Sequence, residues 1–269
     1  YLDKEIARLA SCKRPTVIVR YDAGHNFYLF YYYYKQQQFS FRFIQFEQLN
    51  TLIQLTGVAQ IFINELVSYP GLSKLLKTIS KWKQQYGATL HMLCHDYYFI
   101  CPTVNLMNDK TAYCGVQEGE CCNRCIRNRG LKSFGTIEDW RHSWGSFLAN
   151  CDEVRAFSQD TATHIKKAYP DLQNITVVPH KVDYVPAING RVKRTTHIQV
   201  GILGALALHK GFQIVKKMAE ILEEKDLPID LVLIGEPMDE ISSSHFKATG
   251  RYLPEEVVSL TLQHGFDLF

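Results

Sequence analysis

The run His95-Asp96-Tyr97-Tyr98-Phe99-Ile100-Cys101-Pro102 closes an apolar stretch and opens a segment that also holds Cys114, Cys121, Cys122 and Cys125. Five of the eight cysteines fall within these 25 residues, 101–125. Two chemistries are on offer. A histidine at a strand end, as a neutral imidazole, accepts a hydrogen bond from a substrate hydroxyl or carries a proton near neutral pH. Asp96 can orient it or bind an acceptor, so His95 and Asp96 are the candidate catalytic residues. An isolated His-Asp reads equally as a strand cap bonded to a loop carbonyl. The thiols have metal-ligand spacing. Cys122-x-x-Cys125 matches a zinc knuckle, and Cys101 and Cys114 can supply the second pair. Four thiolates leave zinc no open position, so its role is structural, ordering a loop with few apolar anchors (Ile100, Leu106, Val116). Cys121 is then a spare or alternative ligand. Reduced thiols and disulfides are the other readings of the same cluster.

A third candidate is Gly204-Ala205-Leu206-Ala207-Leu208-His209-Lys210-Gly211, between a strand and a helix. A helix N-terminus offers amide groups and the positive end of its dipole, which suits a phosphate. Lys210 adds a full charge, and Gly204 and Gly211 let the backbone approach. The segment is neither a Walker A sequence nor a G-x-G-x-x-G fingerprint, and an ordinary strand-to-helix turn looks the same.

These residues need elements to hold them. Residues 15–21 and 57–64 are strand-like, and the tyrosine run 31–34 reads as a strand buried on both sides. Leu72, Leu75, Leu76, Ile79 and Trp82 share one helical face, Gly87 stops that helix, and residues 88–94 form the strand that delivers His95. Further on, the pattern predicts helices over 136–148 and 160–168 and strands over 153–158 and 175–180. A linker over 184–196 follows. The next set is a strand over 198–203, a helix over 212–224 with Phe212, Val215, Met218, Ala219 and Leu222 on one face, a strand over 231–235, a segment over 244–249 and a helix over 254–263. Residues 266–269 look like the start of another strand. This β-helix-β order argues for parallel sheets. The expected organisation is therefore α/β, with a Rossmann-like domain over 1–183 and a partial second one over 197–269.

At 269 residues, 46% apolar and 21% charged, the chain has the composition of a globular protein with a sizeable core. Its net charge of +3 makes no case for nucleic acid. No apolar run approaches the ~18 residues of a membrane span. Cys12, Cys94 and Cys151 sit in apolar surroundings and read as buried reduced thiols, which points to a reducing cytoplasm. Lys74, Lys77, Lys81 and Lys83 lie opposite the apolar face of their helix, a solvated surface or a peripheral contact with the membrane's inner face.

With these segments assembled, the chain resembles the retaining GT-B glycosyltransferases of the large family that includes sucrose synthases and bacterial mannosyltransferases. The match rests on His95-Asp96 with the following Cys-Pro, on Phe157-Ser158 and Val178-Pro179-His180, on Leu203-Gly204-Ala205 through His209-Lys210-Gly211, and on Ile234-Gly235 followed by Thr249-Gly250-Arg251-Tyr252. The segments stand in the family's order over roughly residues 88 to 269. The cysteine loop resembles a bacterial subgroup that builds surface polysaccharides. The resemblance implies a GT-B fold and transfer of a sugar from a nucleotide-sugar to a glycan or lipid-linked acceptor, with retention and without a catalytic metal. Lys210 would bind the donor's diphosphate, Gly204, Gly211, Gly235 and Gly250 would border the nucleotide, and His95 would contact the transferred sugar. Two departures stand out. The family's arginine in its G-R-x-x-x-x-K-G arrangement is Ala205 here, and the paired-glutamate motif is expected beyond Phe269, so the second domain reads as cut short. The rival readings are a non-catalytic, zinc-stabilised module for assembly or polysaccharide binding, and a redox protein using Cys122 and Cys125.

Overall fold

A computed structural model describes residues 15–34, 37–180 and 196–268. The chain divides into two compact units, Tyr1–Lys181 and Val182–Phe269. The predicted linker lies outside the described residues apart from Thr196, and so does Cys12.

The first unit opens with three strands, β1 (Thr16–Asp22), β2 (Phe27–Tyr34) and β3 (Gln37–Phe43), paired antiparallel in that order. The Asp22 carboxylate accepts the His25 N–H at 3.0 Å, and Asn26 sits at φ 53°. Such a tight turn returns the chain antiparallel, so this sheet stands apart from the parallel one. β2 buries Tyr28 and Phe30 on alternate positions, whereas Tyr31–Tyr34 are only half-buried. That corrects the expectation of a strand buried on both sides.

Helix α1 (Phe46–Thr56) leads to β4 (Gln60–Ile63), then α2 (Leu72–Tyr86), β5 (Thr89–Cys94), α3 (Gly119–Asn128), α4 (Ile137–Asn150), β6 (Glu153–Ala156), α5 (Gln159–Ala168) and β7 (Ile175–Val177). Strands β4, β5, β6 and β7 form a parallel sheet in sequence order. The helices form where the apolar stripe is periodic and the ends are capped. α2 buries Leu75, Leu76, Ile79 and Trp82 and stops at Gly87, in the left-handed conformation. α4 begins at a capping box in which Thr136 accepts the Asp139 N–H at 3.1 Å, and it buries Trp140, Trp144, Phe147 and Leu148. Each such side chain contributes roughly 1.5–3 kcal/mol of transfer free energy. Ser158 caps α5 through the Thr161 N–H at 3.0 Å. On the basic face of α2, Lys74, Lys77 and Lys81 are exposed and Lys83 is half-buried. Lys83 donates to the Asn150 carbonyl at 2.6 Å and pairs with Asp152 at 2.9 Å, and Lys74 pairs with Glu47.

The second unit holds β8 (Ile198–Leu203), α6 (Phe212–Lys225), β9 (Ile229–Ile234), β10 (Phe246–Ala248) and α7 (Val257–His264). Its sheet is parallel, ordered β10-β9-β8. The central strand β9 buries Leu231, Val232, Leu233 and Ile234 in succession, as a strand covered on both faces must. α6 buries Phe212, Val215, Ala219 and Leu222, but Met218 is 45% exposed. Met218 falls one position off the buried stripe, which corrects its predicted place on the apolar face. Leu268 bridges Val200 in parallel sense, so the segment after α7 does begin alongside β8.

Candidate functional site

Parallel sheets present their carboxyl ends at one edge, where α/β proteins bind ligands. In the first unit the register aligns Cys94, Ala156 and Val177 across β5, β6 and β7. The residues just beyond are therefore neighbours. His95 and Phe157 stack with ring centroids 4.4 Å apart, and Phe157 stacks on His180 at 4.1 Å, with His95 and His180 5.7 Å apart. Burial lowers the pKa of His95, and the neighbouring His180 adds to the effect. Both effects favour the neutral imidazole, the form that can accept a hydrogen bond. The sequence points to His95 and Asp96 as candidate catalytic residues and offers Phe157 and His180 only as part of the family resemblance. Phe157 and His180 become partners of His95 only through register between three strands distant in sequence.

Asp96 is engaged by the backbone of the turn that follows β5. Its Oδ1 accepts the Tyr98 N–H at 2.7 Å and caps the turn after β5. Burial raises its pKa, an effect that the Tyr98 hydrogen bond opposes. The turn is anchored from the helices behind it. Trp140 Nε1 donates to the Tyr98 carbonyl at 2.8 Å, the Tyr169 hydroxyl donates to that of Phe99, and Arg141 Nε donates to that of Ile100 at 3.2 Å. Nearby, the Tyr113 hydroxyl meets His164 Nε2, and His164 Nδ1 donates to the Asp160 carbonyl at 2.8 Å.

The cysteine segment is not the irregular loop expected, because Gly119–Asn128 is helical and carries Cys121, Cys122 and Cys125. Its ends differ in charge as a helix favours, with Glu120 in the first turn paired to Arg127 in the last, and Ile126 is buried. It is also better anchored than expected, since Tyr98, Phe99, Ile100, Leu106, Val116 and Ile126 are all buried. Cys101, Cys114, Cys121, Cys122 and Cys125 line one recess of about 160 Å³. All seven described cysteines are free thiols. Burial pushes the Cys122 thiol up to about 12 and also raises Cys114 and Cys125. That is the opposite of the lowered pKa a redox-active thiol needs. Val104, Leu106 and Thr111 each sit at positive φ, which costs roughly 1–3 kcal/mol apiece and requires the surroundings to hold them.

In the second unit three glycines gather at the carboxyl edge of the sheet. Gly204 follows β8 at φ 109°, Gly235 follows β9 at φ 147°, and Gly250 follows β10 at φ 82°. The Gly204 N–H donates to the Ile234 carbonyl at 2.9 Å, and the Gly250 N–H to that of Gly235 at 3.0 Å. A Cβ on Gly235 would lie 2.2 Å from the Gly204 carbonyl oxygen, so the two backbones touch there without side chains. Lys210 is exposed and ends a short 3-10 turn (Leu208–Lys210), with Gly211 in the left-handed conformation between it and α6. One expectation changes. The N–H groups of Lys210, Gly211, Phe212 and Ile214 bond to the carbonyls of Ala207, Leu208 and Gly211. The turn therefore spends these amides internally, and the Lys210 ammonium is the charge it offers an anion. Arg251, not singled out as a site residue from sequence, stands beside Gly250 and pairs with Glu236 at 2.8 Å. At the opposite edge, His197, Asp230 and His245 bring ligand atoms within 4.8 Å of one another. His245 Nδ1 donates to the Ile229 carbonyl at 2.9 Å and Gln199 donates to Asp230 at 2.6 Å, so this group is knit by hydrogen bonds.

The class is thus a mixed α/β protein whose two units each carry a parallel sheet with glycines or aromatic rings at its carboxyl edge. No protein-family model matches the sequence, and no curated protein matches it. Among solved structures the chain is similar to the lipopolysaccharide outer core galactosyltransferase WaaB in its apo form, at 12% identity, covering 82% of this chain and 51% of that one, with a TM-score of 0.46. It is also similar to TarM, at 8% identity over 94% of this chain and 60% of that one, TM-score 0.47. A variant of S. aureus TarM in complex with fondaparinux, alpha-GlcNAc-glycerol and UDP gives 10% identity, 93% and 60% coverage, and a TM-score of 0.45. The chain spans between 51% and 60% of the length of these structures. Among the described residues, no helix is long and apolar enough to cross a membrane.

Proposed function

We propose that this chain serves a retaining glycosyltransferase, moving a sugar from a nucleotide-sugar to a glycan or lipid-linked acceptor in the building of a bacterial surface polysaccharide. The observation that carries the reading is the edge of the second sheet, where Gly204, Gly235 and Gly250 bring bare backbone together and the connection leaving Gly204 carries the exposed cation Lys210. A nucleoside diphosphate needs both. Its diphosphate needs a positive charge that stabilises the leaving nucleotide, and its flat nucleoside needs backbone it can approach closely. Lys210 supplies the first and the glycines the second. In the first unit, taken by itself, the His95 imidazole stacked on Phe157 is a hydrogen-bonding group suited to a sugar hydroxyl. Asp96 positions the turn.

The test is thermal protection by UDP or GDP. A ligand at about 100 times its Kd stabilises the folded state by about 2.7 kcal/mol, and Lys210→Ala removes that protection while leaving the unliganded melting temperature unchanged. A chain that no nucleoside diphosphate protects is the non-catalytic module instead.

A further inference from the structure

The thiols of residues 101–125 come from three separate stretches of backbone. Cys101 ends the anchored turn after β5, Cys114 closes a small hairpin in which Met107 bridges Tyr113, and Cys122 and Cys125 lie one turn apart on α3. Polar side chains bolt the pieces to one another. Arg129 Nε donates to the Asn108 carbonyl at 3.2 Å, and Asn128 donates to Asp109 at 2.6 Å, tying the hairpin to the far end of α3. Arg141 Nη2 donates to the Gln117 carbonyl at 2.8 Å while its Nε holds Ile100. The three stretches meet at one recess, whose wall carries sulfur from all five cysteines together with Thr103, Met107 and Asn108.

We propose that Cys101, Cys114, Cys122 and Cys125 bind one zinc ion, which locks the segment 101–125 against α3. This goes beyond the transferase reading and does not rest on it. Zinc suits a set of four sulfur ligands with no redox partner, and cysteine pairs three residues apart are its usual source. Four thiolates around a dication leave surplus negative charge, and the surroundings supply cations to offset it. Lys110 and Arg124 line the recess, Arg141 acts on Cys122 and Arg129 on Cys125. Cys114 now donates its thiol to the Leu106 carbonyl at 3.1 Å, but that oxygen also accepts the Cys114 N–H at 2.9 Å. The thiol can therefore lose its proton to solvent and bind a metal as thiolate without orphaning the carbonyl. Cys121 is the most exposed of the five and is left out of the set.

The metal must draw the sulfurs inward. No three of them lie within 4.8 Å of one another, whereas bonds of about 2.3 Å in a tetrahedron place sulfurs about 3.8 Å apart. Binding therefore tightens the hairpin onto α3, and the positive-φ residues Val104, Leu106 and Thr111 are the ones this holds in place.

Elemental analysis of the full chain, purified without chelator, is expected to give about one zinc per chain. Cys122→Ser/Cys125→Ser loses it and Cys121→Ser keeps it. Because the double variant can fail to fold, the unmodified chain is also stripped of metal and titrated with cobalt(II). Saturation at one equivalent, with thiolate-to-cobalt charge transfer and intense tetrahedral d–d bands, is the expected result, together with slowed hydrogen exchange over 101–125. A metal-free preparation that takes up no cobalt, disulfides among these cysteines, zinc retained by the double variant, or zinc lost from Cys121→Ser would each overturn the assignment.

Discussion

Gly235→Ala tests whether the backbone contact at the edge of the second sheet is as tight as its geometry says. The added Cβ lands 2.2 Å from the Gly204 carbonyl oxygen and 2.8 Å from its carbon, at φ 147°. Both obstacles are backbone, so no side chain can swing aside. An alanine forced into that conformation costs roughly 1–3 kcal/mol. Moving the two loops apart by about an ångström loosens the bonds from Gly204 N–H to Ile234 and from Gly235 N–H to Thr249 Oγ1, each worth about 1 kcal/mol. The total is roughly 3–5 kcal/mol. Gly204→Ala is the internal control, since its φ of 109° is also unfavourable but a Cβ there meets nothing within 4 Å. Its cost is strain alone, about 1–2 kcal/mol. Urea unfolding followed by far-UV circular dichroism, with hydrogen exchange at the ends of β8 and β9, reads the difference. Equal costs for the two alanines would refute the reasoning.

Two further predictions concern the first unit. Burial alone would raise the pKa of Glu153, but hydrogen bonds from Arg155, Thr176 and His91 outweigh it and hold the group at about 2 against an ordinary 4.5. A depressed carboxylate stabilises the fold above its unfolded pKa, so the advantage of wild type over Glu153→Gln is full above pH 4.5 and fades as the pH falls toward 2. Discounted for solvent screening, it amounts to about 1–2 kcal/mol, and urea midpoints of the two proteins that stay a constant distance apart across that range would contradict it. Tyr169→Phe removes only the hydroxyl bonded to the Phe99 carbonyl, and leaving that buried acceptor unpaired costs about 1–3 kcal/mol. Tryptophan-monitored unfolding should show the loss, with faster exchange at the Cys101 amide.

How much of this was legible in the sequence depended on how local each signal was. The helices over 72–86, 137–150, 159–168 and 212–225 announce themselves through apolar stripes and through stops or caps such as Gly87, Thr136 and Ser158. α1 did not, because its buried face is only Leu49 and Ile53 among glutamines and threonines. α3 was hidden by its own cysteines, which read as ligands before they read as a helix. At the site, the end of β5 was visible from the apolar run that His95 terminates. The ring cluster with Phe157 and His180 was not, since it follows from pairing between strands some 60 and 20 residues apart, a separation that no local pattern records. The internal bonding of the amides before α6 was also invisible, because a short 3-10 turn has no sequence signature as strong as a capped helix.

The three carbonyls of Tyr98, Phe99 and Ile100 have a consequence for how the first unit is made. Their donors, Trp140, Tyr169 and Arg141, lie 42, 70 and 41 residues further along the chain. As the polypeptide leaves the ribosome, the Tyr98 and Ile100 carbonyls gain their donors once residue 141 is out, whereas the Phe99 carbonyl waits until residue 169 has emerged. Domains complete their folding as units during synthesis, and here the last partner to arrive secures the turn next to His95. A nascent chain that stalls before Tyr169 displays β4 and β5 with the Phe99 carbonyl still lacking its donor.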